Sequence, residues 1–275
     1  MDDNRLDEIG YWSEVKLEIV RKYAQAYSTI MSKQPGIRGH IYVDGFAGAG
    51  VHISKQTGQF IPGSPLNALN VSPPFSEFHL IDLDGGRTDR LRTLIGSRTD
   101  VYVYEGDSNE VLLRTVFPRA KWVDRHRALC LLDPYGLHLD WKVVAAAGQM
   151  KSVEIFLNFP VMDMHMNVLW RDASKVQEAQ VQRMDVFWGD SSWREAAYAH
   201  KAGLFGQMEE KAGIRVVAEA YRKRLRDVGG FAFVPEPMPM RNTKGGVVYY
   251  LFFASPNRTG ANIVTDIFSK YKDRR

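Results

Sequence analysis

The stretch Asp44-Gly45-Phe46-Ala47-Gly48-Ala49-Gly50 constrains this chain more than any other. It follows Ile41 to Val43, a short apolar run that suits the end of a buried strand, and it places three glycines in six residues. Glycine admits backbone torsions closed to other residues and lets a ligand approach the main chain. A strand, a Gly-rich turn and a helix start are how α/β folds bind nucleotides at the carboxyl end of a sheet. The spacing is neither the G-x-G-x-x-G of dinucleotide folds nor the G-x-x-x-x-G-K-[ST] of a phosphate loop. No lysine follows the glycines, so nothing is placed to grip β- and γ-phosphates. An acidic residue just before the turn suits a ligand with a cationic end. A tight turn without a ligand is the plainer alternative, because glycine-rich turns alone are a weak signal.

The later strands end in the same manner. Phe78 to Asp82 reads as a second strand closed by a carboxylate. Asp82, with Asp84 in reserve, is placed to accept hydrogen bonds from ribose hydroxyls. Val101 to Tyr104 reads as a third strand, followed by Glu105-Gly106-Asp107-Ser108-Asn109. Asp107 suits the N-cap of a helix over Asn109 to Phe117; the G-D-[SA]-N turn also resembles one that lies beside the adenine in methyltransferase-like folds, which implies that Asp107 accepts the adenine N–H, and both roles are compatible. Ala128 to Leu132 is continuously apolar, the mark of a central strand buried on both faces. It runs into Asp133-Pro134-Tyr135-Gly136. Val153 to Leu157 reads as the fifth strand and ends in Asn158-Phe159-Pro160. Polar residues or turns thus close five strands on one edge, a stronger signal than any single motif.

Around these strands, Val15, Ile19, Tyr23 and Tyr27 give a helix over Tyr11 to Ile30, with Ser13 as N-cap, packing on the sheet. Gly58, Pro62, Gly63 and Pro65 forbid a continuous helix over Val51 to Pro65. That piece reads as a loop that closes over a ligand, before a short helix opened by Ser64-Pro65. Arg87 to Ile95 reads as a helix with Leu91 and Leu94 inward. Arg114, Arg119, Lys121, Arg125 and Arg127 around Trp122 read as a solvated face, with a phosphate track as the alternative. Cys130 reads as a core residue with no base to activate it.

From Val161 to about Val228 the pattern becomes helical, ending in a helix over Arg215 to Arg226 whose terminal cations favour its dipole. Phe231 to Met240 and Gly246 to Ser255 pair as a hairpin through Thr243 to Gly246. Asn262 to Tyr271 closes the chain as an amphipathic helix. The fold class is therefore α/β: a mostly parallel Rossmann-like sheet with a C-terminal hairpin. Residues 1–160 and 229–275 form its domain, and 161–228 form a helical insertion.

Composition narrows the setting. One cysteine in 275 residues excludes an internal disulfide and a multi-cysteine metal site. No apolar run approaches the roughly 20 residues of a membrane span. The charged start, Met1 to Arg5, does not read as a signal peptide, so the expected location is cytoplasmic. A net charge of +4 is compatible with nucleic acid without arguing for it.

The D-x-F-x-G-x-G form resembles motif I of S-adenosylmethionine-dependent methyltransferases, whose cofactor carries an ammonium and a sulfonium. The resemblance implies that Asp44, Gly45, Phe46, Ala47, Gly48, Gly50, Asp82, Asp107 and Ser108 bind that cofactor. Asp133-Pro134-Tyr135 resembles the D-P-P-Y box of enzymes that methylate exocyclic amines of adenine or cytosine. There a carboxylate and a proline carbonyl accept the two N–H bonds of the amine, and an aromatic ring stacks on an extruded or single-stranded base. Asp133 and the Pro134 carbonyl are then the acceptors and Tyr135 the platform. This chain has one proline where the box has two, and Gly136 follows the tyrosine, so a structural turn is the alternative.

Together with Gly63-Ser64-Pro65, Gly106-Asp107-Ser108-Asn109 and Asn158-Phe159-Pro160, the order of motifs resembles the three-Cys-motif partner protein family (TcmP) over roughly residues 11 to 255. That resemblance implies a bacterial or phage-borne protein with a methyltransferase-like fold. It also implies a neighbour with a three-cysteine motif of radical-S-adenosylmethionine type. Two functions follow. One is methyl transfer to nucleic acid. The other is a binding module that presents cofactor or nucleic acid to the three-cysteine partner, without methyl transfer of its own. The glycine spacing argues against a nicotinamide oxidoreductase.

Overall fold

The structure is a computed structural model and describes residues 7–203 and 206–272, the side chains of 199–210 excepted. Seven strands form the main sheet: β1 Gly39–Asp44, β2 Glu77–Asp82, β3 Val101–Glu105, β4 His126–Leu132, β5 Val153–Phe159, β6 Met238–Arg241 and β7 Val247–Ala254. Their order is β6-β7-β5-β4-β1-β2-β3. Strands β1 to β5 run parallel, while β7 lies antiparallel between β5 and β6. The chain winds outward in both directions from β1 and β4, so a crevice forms between their carboxyl ends. β1 and β4 are central because their apolar runs are buried on both faces: Ile41 to Val43 and Ala128 to Leu132 expose 2% or less.

Alternation along the strands sorts the core into two layers. Ile41, Val43, Cys130, Leu132, Ile155 and Leu157 face one layer, together with residues of the helices Trp141–Met150, Glu178–Trp188 and Ile214–Asp227. Tyr42, Leu80, Leu129, Leu131, Phe156 and Leu251 face the other, with the helices Tyr11–Met31, Gly85–Ile95 and Arg258–Tyr271. Asp44, Asp82, Asp133 and Asn158 continue the parity of the second layer. All four therefore lie on the face covered by the N-terminal helix, at the carboxyl edge.

Several local expectations need correction. Gly10, not Ser13, is the N-cap of the first helix; the Ser13 N–H donates to the Gly10 carbonyl at 2.9 Å. Val51 to Pro65 is not a loop. Val51–Ser54 and Phe60–Pro62 pair as an antiparallel hairpin, and Glu8–Ile9 adds to it in parallel. Glycine and proline break a helix but suit a hairpin: Gly58 supplies a turn at φ 68°, and Pro62 ends its strand. Leu91 is buried, but Leu94 is 44% exposed, and Ile95, one turn on from Leu91, takes the inward place.

The segment after Asp107 is one α-turn, Ser108–Val111, widened by a π stretch over Leu112–Val116 and then tightened by a 3₁₀ turn at Phe117–Arg119. Residues 161–228 are not wholly helical, since Tyr198–Gly203 and Gly206–Lys211 pair as a hairpin. In the basic cluster, Arg127 stacks 3.4 Å from the Trp122 ring centroid, and Arg119 grips Glu77 with two bonds of 2.7 Å. Both arginines are thus engaged, Arg127 near the amino end of β4 and Arg119 against Glu77 at the amino end of β2, away from the carboxyl edge.

Candidate functional site

Asp44 closes β1 with no exposed surface. Its Oδ1 accepts the Phe46 N–H at 3.2 Å, and the Tyr42 hydroxyl lies 3.5 Å from Oδ2. Burial pushes its carboxyl up to about 7, against the opposing bonds from the Ser64 hydroxyl and the Phe46 N–H. A buried carboxyl in that state is poised to ionise when a cation arrives.

The glycine turn is laced to both neighbouring strands. Gly45 N–H donates to the Leu131 carbonyl at 2.9 Å and Ala47 N–H to the Ile81 carbonyl at 2.8 Å. Gly48 N–H donates to Asp82 Oδ2 at 2.8 Å, while Asp84 N–H donates to Asp82 Oδ1 at 2.9 Å. Asp82 therefore holds the turn, and each of its oxygens keeps a further lone pair. Gly48 sits at φ 62°, and a Cβ built there meets nothing within 4 Å. The main chain at this point faces open space, as close approach by a ligand requires. Gly63 serves packing instead, because its Cβ would lie 2.9 Å from the Gly50 carbonyl oxygen.

The Ser108 hydroxyl donates to the Gly45 carbonyl and pins the turn from the β3 side. Asp107 is exposed and caps its helix, accepting the Asn109 N–H at 2.8 Å. Leu83, beside Asp82, is 76% exposed and offers an apolar surface to the same crevice; nothing in its sequence context singles it out.

At the end of β4, Asp133 is held on both oxygens. Asn158 Nδ2 donates to Oδ1 at 2.8 Å, and the Lys16 ammonium bonds Oδ2. Lys16 comes from the N-terminal helix, is 7% exposed, and lies 5.4 Å from the Tyr249 ring centroid. Pro134 is buried. Tyr135 is 62% exposed, and its hydroxyl donates to Asp7 at 3.2 Å and accepts from Arg87 at 3.0 Å. The tyrosine turns outward because Gly136 adopts φ 61° against Asp163, whose carboxylate takes the Leu137 N–H at 2.8 Å.

The structure thus brings together Asp44, Gly45, Gly48, Asp82, Ser108 and Asp133, and leaves Asp107 and Tyr135 on the rim. It adds Lys16, Asp7 and Arg87, and it joins to Asp133 the amide of Asn158-Phe159-Pro160, a stretch whose sequence suits either a substrate contact or a plain turn. Lys16 was invisible as a site residue because a lysine between Val15 and Leu17 looks like the polar side of an amphipathic helix. His52, on the added hairpin, keeps Nδ1 buried without a partner among the described residues, and burial lowers its pKa.

No family model matches the chain, and no curated protein does. Solved structures do. A Legionella pneumophila protein of the family DUF519 is 12% identical, with a TM-score of 0.54, covering 95% of this chain and 91% of its own. The N-methyltransferase NodS of Bradyrhizobium japonicum, solved with S-adenosyl-L-homocysteine, is 9% identical, with a TM-score of 0.42 and coverages of 93% and 90%. At these identities the likeness is one of fold. The fold is Rossmann-like: a largely parallel α/β sheet with an antiparallel strand next to its edge.

Proposed function

We propose that this chain is an S-adenosylmethionine-dependent methyltransferase acting on an exocyclic amine of a nucleic-acid base. One observation carries the proposal: Asp44, Asp82, Asp133 and Asn158 share one face of the sheet, around the open turn at Gly48 and at the switch point of the strand order. Asp44 to Gly50, Asp82, Asp107 and Ser108 would hold the cofactor, which supplies an electrophilic methyl group on a sulfonium. The residues fit such a ligand. Asp44 is a buried counter-charge for its ammonium, Asp82 has lone pairs left for ribose hydroxyls, and Gly48 leaves room for close approach. Asp133 accepts an N–H of the acceptor amine and draws its lone pair out of conjugation with the ring. Alignment of that nitrogen supplies most of the acceleration.

The test is Asp133→Ala, assayed with tritiated S-adenosylmethionine and bacterial RNA or DNA. Loss of methyl transfer with cofactor affinity retained supports the assignment; unchanged turnover contradicts it. A second reading draws on the fact that both Asp133 oxygens are already bonded. On it the chain is a cofactor- or nucleic-acid-binding module for the three-cysteine radical-S-adenosylmethionine-type protein that the TcmP resemblance implies. Product formed only on mixing the two proteins favours that reading. No helix among the described residues is long and apolar enough to cross a membrane, and we place the activity in the cytoplasm.

A further inference from the structure

Asn158 carries a polar atom that the fold itself does not use. Its Nδ2 donates to Asp133 Oδ1 at 2.8 Å, which fixes the amide, since a flip would set two oxygens against each other. Its Oδ1 is buried and has no hydrogen-bond partner among the described residues. Buried acceptors are as a rule satisfied, so this one stands out. Next to it, the other oxygen of Asp133 is held by the Lys16 ammonium, 5.4 Å from the face of the Tyr249 ring. A carboxylate with an aromatic face is a setting that binds an ammonium or amino group.

We propose that Asp133 Oδ2 and Asn158 Oδ1 are the two acceptors of an amine seat, that Lys16 lodges its own ammonium in the carboxylate half of that seat in the free protein, and that an incoming amino group takes its place. The proposal rests on the methyl-transfer reading for what happens in the seat. It assigns the second acceptor to Asn158 rather than to the Pro134 carbonyl. It also gives the amine class a structural reason: two acceptors match two N–H donors, whereas a hydroxyl offers one donor and a carbon acceptor none. Lys16 has to leave for a further reason: its charge stands where a sulfonium and a nitrogen turning cationic must meet. The N-terminal segment that carries Lys16 is attached at the rim by Asp7 to Arg87 at 3.1 Å and to Tyr135 at 3.2 Å, so its seating is coupled to the mouth of the site.

The test uses the full chain and n-propylamine, whose carbon chain replaces what Lys16→Ala removes. The amine is expected to raise the unfolding temperature of Lys16→Ala saturably, and that of the wild type only at higher concentration, where it has to displace Lys16. n-Propanol is expected not to substitute for it. Affinity is expected to be about ten-fold weaker in Lys16→Ala/Asn158→Leu, the loss of one charge-assisted hydrogen bond. No response from folded Lys16→Ala, or equal responses from the single and double variants, overturns the proposal. Should Lys16→Ala not fold alone, refolding yield against n-propylamine reads the same contrast. Titration of the same proteins with S-adenosylhomocysteine reads the cofactor site separately. An amine response without cofactor binding removes the methyl-transfer reading and keeps the seat; cofactor binding without an amine response removes the seat.

Discussion

Asp44 has an ordinary carboxyl value of 3.8 and a folded value of about 7, raised chiefly by burial. Between those values the folded chain keeps a proton that the unfolded chain has released, so stability falls as pH rises from about 4 to about 7. Glu154 acts in the same direction. It is buried, accepts from the Tyr23 hydroxyl and from Ser255 Oγ at 2.8 Å, and is also pushed up to about 7 by burial. Asp44 accounts for on the order of 4 kcal/mol over that window and Glu154 for on the order of 3. Asp44→Asn and Glu154→Gln are each expected to flatten part of the decline, as thermal melts on either side of the window would read. The two differ towards ligand. A bound ammonium favours ionised Asp44, so cofactor affinity is expected to rise with pH up to about 7 and then level. Calorimetry across that range checks this, and a slope that survives in Asp44→Asn would assign it to another group. Strand-end carboxylates such as Asp44, Asp82 and Asp133 were legible in the sequence because each follows a run that can only be a buried strand. Lys16 was not, because helical periodicity says which face a residue occupies and not which distant carboxylate it meets.

The glycine turn and the hairpin behind it act as one element, tied by the Gly63 N–H to the Gly50 carbonyl at 2.8 Å. Gly48→Ala meets no neighbour, so its expected cost is only the roughly 1 kcal/mol of a left-handed alanine. Its methyl fills the open space, and cofactor affinity is expected to collapse while the fold survives. Gly63→Ala presses on the Gly50 backbone and is expected to cost about 1–3 kcal/mol. Paired measurements of denaturation midpoint and cofactor affinity separate the two; equal loss of affinity at equal stability would show that Gly48 has no special relation to ligand. The hairpin itself was hidden from the sequence. Gly58 and Pro62 ruled out a helix correctly, but the partner strand Glu8–Ile9 lies more than 40 residues away in the chain, and such pairing leaves no local signature.

Across the whole molecule, the described residues of 161–228 share one core with the sheet. Tyr221, on the Ile214–Asp227 helix, packs on Phe187 and Trp188 of that segment and equally on Phe159 and Phe252 of the sheet, with centroids 5.0–5.7 Å apart. Unfolding in denaturant is therefore expected to be a single transition, and Tyr221→Ala is expected to lower its stability by about 3–5 kcal/mol. Two transitions would show that the segment folds apart. The Tyr221 hydroxyl is buried without a partner among the described residues, so Tyr221→Phe is expected to be neutral or stabilising. The order of the sheet sets the ends of β1, β2, β4 and β5 beside one glycine turn. The most direct test of that account is calorimetric titration of the wild type and Asp82→Ala with S-adenosylhomocysteine. Micromolar binding by the wild type, lost in Asp82→Ala, is the predicted result. No binding by the wild type would contradict the account and leave a Rossmann-like fold put to another use.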